Sequence, residues 1–100
     1  MKRIGLLCAL GMSTSVLVQK MRKAAEEIGF ECEIDAYAVN TAAEVAKKVD
    51  CILLGPQIRF ELNKIKEIAG EIPVEVIDMV AYGTMNGTKV IEQAKKMMNV

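Results

Sequence analysis

Residues 4–21 decide the fold, and they run IGLLCALGMSTSVLVQKM. The apolar run from Ile4 to Leu7 predicts a buried strand that ends at the thiol of Cys8. A turn rich in glycine, serine and threonine follows, and residues 16–21 have the pattern of a helix. Backbone N–H groups of such a turn point inward, and the dipole of the helix favours negative charge there. The stretch therefore predicts a strand, a loop and a helix that together place a sulfur at the mouth of an anion-binding site.

The candidate site residues follow from this arrangement. Cys8 is the candidate nucleophile, because the field of the loop and helix stabilises an anionic sulfur. The loop after it would bind phosphate through backbone N–H groups and serine or threonine hydroxyls. The residues of this candidate phosphate-binding loop are Ala9, Leu10, Gly11, Met12, Ser13, Thr14 and Ser15.

The composition limits the class of protein. The chain has 100 residues, 52% of them apolar, which suits one domain spanning residues 1–100. Its 13 basic and 13 acidic residues give a net charge of zero, which argues against a nucleic acid or an anionic membrane as the main partner. No segment is long enough to span a membrane, so we expect no direct membrane insertion.

The chain contains no histidine, which excludes an internal phosphohistidine and a histidine metal ligand. Its three cysteines lack the spacing of a metal site, and they indicate a reduced, cytoplasmic protein. We therefore expect neither a metal nor another cofactor. Cys32 and Cys51 fall on predicted strands among apolar neighbours, so we expect both to be core thiols.

Strand-like and helix-like segments alternate along the chain. The predicted strands lie at about residues 2–7, 31–37, 51–54 and 74–77. Four strands alternating with four helices predict an α/β fold with three layers: a four-stranded parallel sheet (order 2-1-3-4) with helices on both faces. The second strand alternates polar and apolar residues, which is typical of a sheet edge.

Two local patterns refine the helices. The first helix is expected to bury one face made of Leu17, Met21, Ala24 and Ile28. Thr41 and Glu44 have the spacing of a capping box, which predicts that their side chains begin the second helix. Residues 78–87 are expected to form a loop.

Ligands of such sheets bind beyond the carboxyl ends of the strands, where the winding reverses. Cys8, the segment Gly55-Pro56-Gln57 and the loop containing Tyr82 and Gly83 are therefore expected to meet at one site. Gly55, Pro56, Gln57 and Tyr82 are candidates for a second layer around Cys8. Gln57 and Tyr82 could equally be a turn residue and a surface aromatic, and Arg59 is more simply a solvated arginine.

Three functions remain compatible with the residues alone. Cysteine phosphatases use a Cys-x5-Arg loop whose arginine holds the phosphoryl oxygens, but Thr14 occupies that position here. A phosphatase also needs a carboxylic acid, for which Asp78 is the candidate. A loop without the arginine favours accepting and passing on a phosphoryl group over hydrolysis. A redox-sensing thiol is the third alternative, and Cys8 as a small buried core residue is the purely structural one.

The chain resembles enzyme IIB of the lactose/cellobiose/chitobiose family of the sugar phosphotransferase system. The resemblance rests on the stretch LLCALGMSTS at residues 6–15, on LLGPQI at residues 53–58, and on VEVID at residues 74–78 followed by Tyr82-Gly83. These segments occur in family order along essentially the whole chain.

The resemblance implies a function and partners. Cys8 would become a phosphocysteine, receiving phosphate from a phosphohistidine of a phosphorylated IIA protein. It would pass the phosphate to a β-glucoside-type sugar such as cellobiose, chitobiose or lactose during uptake through the membrane IIC transporter. The lack of histidine in this chain fits, because the family places the donor histidine on the IIA partner.

Overall fold

The first strand ends at Cys8, and the helix after it begins at Met12. The two elements therefore flank the segment that the sequence predicts to bind an anion. In the computed structural model, which describes residues 1–9 and 12–100 (with side chains everywhere except at 12 and 13), strands and helices alternate up to the fourth helix, and a fifth helix follows. They are β1 Lys2–Cys8, α1 Met12–Glu27, β2 Cys32–Ala38, α2 Ala42–Ala46, β3 Cys51–Leu54, α3 Leu62–Ala69, β4 Val74–Val76, α4 Met79–Gly83 and α5 Gly87–Met98. Short 3-10 turns, Val39–Thr41 and Pro56–Glu61, lead into α2 and α3.

The four strands form one parallel sheet in the order β2-β1-β3-β4, which confirms the predicted topology. Its central strands are β1 and β3, and all four residues of β3 are buried. One apolar core lies between the sheet and α1 and α5, and it includes Leu6, Leu17 and Ile91. A second core on the opposite face includes Leu7 and Ile65 and lies under α2 and α3. The three predicted layers are therefore present.

The buried face of α1 differs from the prediction at its end. Leu17, Met21 and Ala24 are buried as expected, but Ile28 is 53% exposed. The helix stops at Glu27, and Gly29 reverses the chain with a φ of 71°. This left-handed turn lets the N–H of Phe30 bond to the carbonyl of Ala25 at 2.9 Å. Phe30, after this turn, packs against the core under α1 and α5, and Ile28 does not.

The capping box predicted at Thr41 and Glu44 is wrong. The Thr41 hydroxyl donates to the carbonyl of Ala38 at 2.7 Å, and no side chain caps α2. Thr41 belongs to a 3-10 turn with φ −101° and ψ 14°, whereas an N-cap residue needs an extended backbone. In this turn the Thr41 hydroxyl lies next to the carbonyl of Ala38, three residues earlier, and not next to the N–H groups of α2.

The segment expected to be a loop contains the short helix α4. Asp78 begins it, because a side-chain oxygen of Asp78 accepts the N–H of Ala81 at 2.9 Å. Asn86 caps α5 in the same way, by accepting the N–H of Lys89 at 3.1 Å. Ala81 and Tyr82 point into the core between these two caps. None of the helices in the described part of the chain is both long and apolar enough to cross a membrane.

Side chains from α1 and α5 bind the two edge strands. Arg22 on α1 donates to the carbonyl of Ile34 on β2 at 2.6 Å and pairs with Asp35 at 2.9 Å. Gln93 on α5 donates to the carbonyl of Val76 on β4 at 2.9 Å and accepts the N–H of Asp78 at 3.1 Å. Helix α1 is thus fixed to the edge strand β2, and helix α5 to the edge strand β4. The backbone carbonyls of Ile34 and Val76 gain hydrogen-bond donors that an edge strand would otherwise lack.

The two helices also touch each other where α5 begins. Gly87 is buried there, and a Cβ on it would overlap the backbone carbonyl of Lys20 and lie 2.7 Å from the nitrogen of Met21. Backbone atoms cannot move aside as a side-chain end can. Only glycine fits this contact between α1 and α5.

We expect Gly87→Ala to lower the free energy of unfolding by about 3 kcal/mol, because the added methyl group forces the helices apart. Gly83→Ala is the matched control, since a Cβ there would have no neighbour within 4 Å. That control should stay within about 1 kcal/mol of the wild type. Chemical denaturation of both variants measures the difference, and equal effects would contradict the proposed close contact.

Candidate functional site

Cys8 is the last residue of β1, at the carboxyl edge of the sheet. It is 7% exposed, and its Sγ lies 3.8 Å from the carbonyl oxygen of Tyr37, to which the thiol donates a weak hydrogen bond. Ala9 beyond it is exposed. The sulfur therefore lies at the end of a rigid, central strand, with its position fixed by the neighbouring strand β2.

Helix α1 begins at Met12, four residues after Cys8. The first N–H groups of a helix have no partner within it, and the dipole makes this end positive. The first turn, residues 12–15, carries no acidic side chain that would offset this charge. The start of α1 therefore suits an anion held beside Cys8.

The predicted phosphate-binding loop is described in part. Leu10 and Gly11 lie outside the described residues, as do the side chains of Met12 and Ser13. Ala9 and Ser15 are exposed. Thr14 is 1% exposed, and its hydroxyl oxygen has no hydrogen-bond partner among the described residues. A buried hydroxyl without a partner is costly in a folded protein.

Very small residues lie on both sides of Cys8 in the sheet. The register of β1 and β2 pairs Cys8 with Ala38. On the other side, the N–H of Gly55 bonds to the carbonyl of Leu7 at 3.0 Å, which continues the pairing of β1 with β3. A Cβ on Gly55 would lie 4.0 Å from the Cβ of Cys8. The row Ala38, Cys8, Gly55 therefore leaves space around the sulfur.

Gln57 and Tyr82 meet beside this row. The amide nitrogen of Gln57 donates to the hydroxyl of Tyr82 at 3.3 Å. The amide oxygen of Gln57 lies 3.1 Å from where a Cβ of Gly55 would be. Pro56 begins the 3-10 turn that carries Gln57, and Tyr82 is 8% exposed on α4. The loops after β1, β3 and β4 thus bring Cys8, Gly55, Gln57 and Tyr82 together.

Two other candidates are placed differently. Arg59 is exposed within the 3-10 turn that precedes α3. Asp78, the candidate acid of a phosphatase, uses a carboxylate oxygen to cap α4. No cluster of three or more cysteine, aspartate or glutamate residues that could hold a metal ion occurs in the described ranges 1–9 and 12–100.

The other two thiols differ from Cys8 in position. Cys51 is fully buried at the start of β3, and burial raises its pKa from 9.0 to about 12, with Asp50 and Glu75 adding repulsion. Cys32 begins β2 and is partly buried, and desolvation also raises its pKa. Both lie at the opposite end of the strands from Cys8 and pack against the core under α1 and α5.

Two contacts of Cys8 were not foreseen from the sequence: the Tyr37 carbonyl and the alanines near the end of β2. An open cavity of about 260 Å³ beside the sulfur is lined by residues that include Ala36 and Ala38. Alanines are depleted in strands, so their occurrence at positions 36 and 38 was the available signal. Only the β1–β2 register reveals that Ala38 lies opposite Cys8 and that Ala36 lies opposite Leu6.

We predict that the bond between Gln57 and Tyr82 couples these two residues energetically. In a double-mutant cycle of Gln57→Ala and Tyr82→Phe, the coupling should be about 0.5–1 kcal/mol, the usual value of one neutral hydrogen bond. Denaturation of the wild type, both single variants and the double variant measures it. Additive effects would mean that the two side chains do not form this bond in solution.

Cys51 gives a pH prediction. Between pH 9.0, where the unfolded thiol ionises, and about 12, the folded thiol stays protonated. The unfolded state alone loses the proton, so stability that is fully present below this range falls by up to about 1.4 kcal/mol per pH unit within it.

Cys51→Ala removes this contribution. The stability advantage of the wild type over the variant should be constant below pH 9 and should shrink above it. Denaturation of both proteins across this range measures the difference. An advantage that stays constant to high pH would show that the thiolate is not disfavoured at Cys51.

Comparison with known proteins places the chain in a family. Residues 3–93 match the model of the PTS system lactose/cellobiose-specific IIB subunit. The chain is 47% identical to the oligo-beta-mannoside-specific EIIB component of Bacillus subtilis, and the match covers 98% of this chain and 97% of that protein. It is 46% identical to the cellobiose-specific EIIB component of Lactococcus lactis subsp. lactis, with the same coverage.

Solved structures agree with the fold. The cellobiose-specific IIB component from Borrelia burgdorferi superposes with a TM-score of 0.81 at 41% identity, over 98% of this chain and 92% of that one. The lactose-specific IIB domain from Streptococcus pneumoniae has the same fold, with a TM-score of 0.81 over 96% of both chains, at 17% identity. The chain therefore belongs to the lactose/cellobiose-specific IIB subunits of the sugar phosphotransferase system.

Proposed function

We propose that this chain is a phosphoryl carrier and transferase in which Cys8 holds the phosphate. The observation that carries the proposal is the position of Cys8: the end of a central strand, close to the start of α1, with Ala38 and Gly55 as its neighbours in the sheet. A phosphoryl group on this sulfur would have space beside it and a helix dipole to stabilise its charge. Membership of the IIB family supports the same role.

The first transfer brings the phosphate to Cys8. The sulfur attacks the phosphorus of a phosphohistidine on the IIA partner, an S–P bond forms, and the N–P bond breaks with its electron pair returning to the imidazole nitrogen. The thiol proton ends on that nitrogen. Because this chain has no histidine, the donor must come from another protein.

The second transfer passes the phosphate to the sugar at the membrane IIC transporter. The sugar hydroxyl oxygen attacks the phosphorus, an O–P bond forms, and the S–P bond breaks with its electron pair on the sulfur. The hydroxyl proton ends on the sulfur, which restores the thiol of Cys8. Phosphoryl transfer of this kind needs in-line positioning and charge stabilisation more than acid–base groups.

The proposed phosphate-binding loop, residues 9–15, would supply that stabilisation through backbone N–H groups and hydroxyls. Thr14 supports this assignment, because a buried hydroxyl with no partner among the described residues is available to a phosphoryl oxygen. Gly55, Pro56, Gln57 and Tyr82 are proposed to support the loop from the side of β3, with Gln57 and Tyr82 bonded to each other.

Hydrolysis is the less favoured alternative. Thr14 occupies the position at which a phosphatase loop has its arginine. A carboxylate oxygen of Asp78 caps α4 by accepting the N–H of Ala81. The site therefore lacks the bidentate phosphate ligand of a phosphatase, and its candidate acid is committed elsewhere. We therefore expect a phosphoryl group on Cys8 to be hydrolysed slowly and to remain on the sulfur until an acceptor hydroxyl binds.

The sugar is proposed to be a β-glucoside-type sugar such as cellobiose, chitobiose or lactose. Relatives named for oligo-beta-mannoside, galactose and cellobiose are 47%, 47% and 46% identical to this chain. Equal similarity to proteins named for different sugars fits a subunit whose transporter partner selects the sugar.

We propose a cytoplasmic location and a single functional unit spanning residues 1–100.

The test is to incubate the chain with a phosphorylated IIA protein and to locate the phosphate by mass spectrometry and phosphorus NMR. We expect S-phosphocysteine at Cys8 and none in Cys8→Ser, which should fold normally because the substitution is nearly isosteric. Cys32→Ser is the matched control and should be labelled as the wild type is.

Several outcomes would contradict the proposal. Label on a serine, label that persists in Cys8→Ser, or an unlabelled wild type would exclude Cys8 as the carrier. Continuous hydrolysis of an aryl phosphate by the protein alone, lost in Cys8→Ala, would favour the phosphatase alternative.

A further inference from the structure

An open cavity of about 260 Å³ lies beside Cys8 on the side of the edge strand β2. Its lining residues are Cys8, Ala9, Ser15, Ala36, Tyr37 and Ala38. The cavity lies between the carboxyl end of β2 and the start of α1, and the Sγ of Cys8 lies 3.8 Å from the carbonyl oxygen of Tyr37, another lining residue. It is thus a space that reaches the proposed nucleophile from one defined side.

The size of the side chains on β2 explains why this space is open. Alternate residues of a strand share a face, so Ile34, Ala36 and Ala38 lie on the same side of the sheet. Ile34 is buried and belongs to the core under α1, and Arg22 of that helix binds its carbonyl. Ala36 and Ala38 are exposed. The core thus ends at Ile34, and two methyl groups form the wall toward the sulfur.

The opposite side of Cys8 is covered. The amide of Gln57 lies over Gly55, and its bond to Tyr82 at 3.3 Å holds it there. A group approaching Cys8 from β3 would have to displace this pair. Among the described residues, approach from β2 meets the small side chains of Ala36, Ala38, Ala9 and Ser15 and the backbone of Tyr37.

The lining of the cavity indicates what kind of group enters it. None of the described residues that line it carries a charged side chain. The ring of Tyr37 packs with the core on the other face of the sheet, where Lys48 lies 4.9 Å above it, so Tyr37 contributes its backbone. A sugar ring entering here would lose water from many hydroxyls and would find few partners. A small planar ring with one or two nitrogen atoms fits this lining better.

We propose that the cavity is the channel through which the imidazole ring of the phosphohistidine donor reaches Cys8, and that Ala36 and Ala38 determine its access. The inference rests on the proposed function and names the approach side of its first step. In-line transfer needs the ring nitrogen, the phosphorus and the sulfur in a row, with the S–P bond forming as the N–P bond breaks. The cavity would leave room for the ring while the proposed phosphate-binding loop holds the phosphoryl oxygens.

The first arm of the test fills the cavity with Ala38→Leu, and Ala43→Leu on the exposed face of α2 is the matched control. Alkylation of Cys8 by iodoacetamide, mapped by mass spectrometry, should slow about tenfold in Ala38→Leu because access to the sulfur is reduced. Phosphorylation by phosphorylated IIA should slow about a hundredfold, because a displaced donor ring loses in-line geometry. The control should match the wild type in both rates.

The second arm uses the wild-type protein and needs no variant to fold. Imidazole is titrated into the chain and the backbone amide resonances of Ser15, Ala36 and Ala38 are followed by NMR, with methyl β-glucoside titrated in parallel. Imidazole should shift these resonances and the glucoside should not. Shifts caused by the glucoside alone, or by neither compound, would overturn the assignment of the cavity to the donor ring.

The two arms separate this inference from the proposed function. If the wild type takes no phosphate from IIA, the carrier function fails, while alkylation and the imidazole titration still decide whether the cavity leads to Cys8. If the wild type is phosphorylated and Ala38→Leu is phosphorylated as fast, the carrier stands and the channel is wrong.

Discussion

The site depends on the parallel pairing of β1 with a strand on each side. The register with β2 sets Cys8 opposite Ala38, and the bond from the Gly55 N–H to the Leu7 carbonyl continues the ladder with β3 to the same level. Because parallel strands end at one edge, the loops that follow them must meet there. Backbone hydrogen bonds alone therefore place a thiol between two of the smallest side chains, before any side chain of the site is considered.

The helices keep this edge in place from one face of the sheet. Arg22 fixes α1 to β2, Gln93 fixes α5 to β4, and the backbone contact at Gly87 fixes the two helices to each other. Two of these contacts involve residues 20–22 of α1, and the third holds α5, against which α1 packs. The position of α1 on the sheet, and with it the direction of its dipole, therefore depends on contacts with both β2 and α5.

Sequence patterns predicted the sheet well, because its signals are strong and local. The apolar run Cys51–Leu54 is the observed β3, and the alternation of strands and helices gave the order of the sheet. The wrong predictions concern places where the local backbone geometry determines the hydrogen bonds and the burial of side chains. The five residues of α4 are too few to show a helical period, and Thr41 lies in a turn in which its hydroxyl bonds to the carbonyl of Ala38. Gly29 turns the chain so that Phe30 packs against the core while Ile28 is exposed.

In the site, too, the sequence predicts the features that follow from topology and misses those that depend on backbone geometry. The topology sufficed to bring Cys8, Gly55, Gln57 and Tyr82 together, since all follow strands that end at one edge. The Tyr37 carbonyl and the alanines could not be found this way, because their position depends on register. Register also separates the three thiols. Burial at the start of a strand raises the pKa of Cys51 to about 12, which leaves it protonated and inert. The same residue type at the end of a strand lies beside an open cavity and a helix start, which is why the proposed transfer is assigned to Cys8.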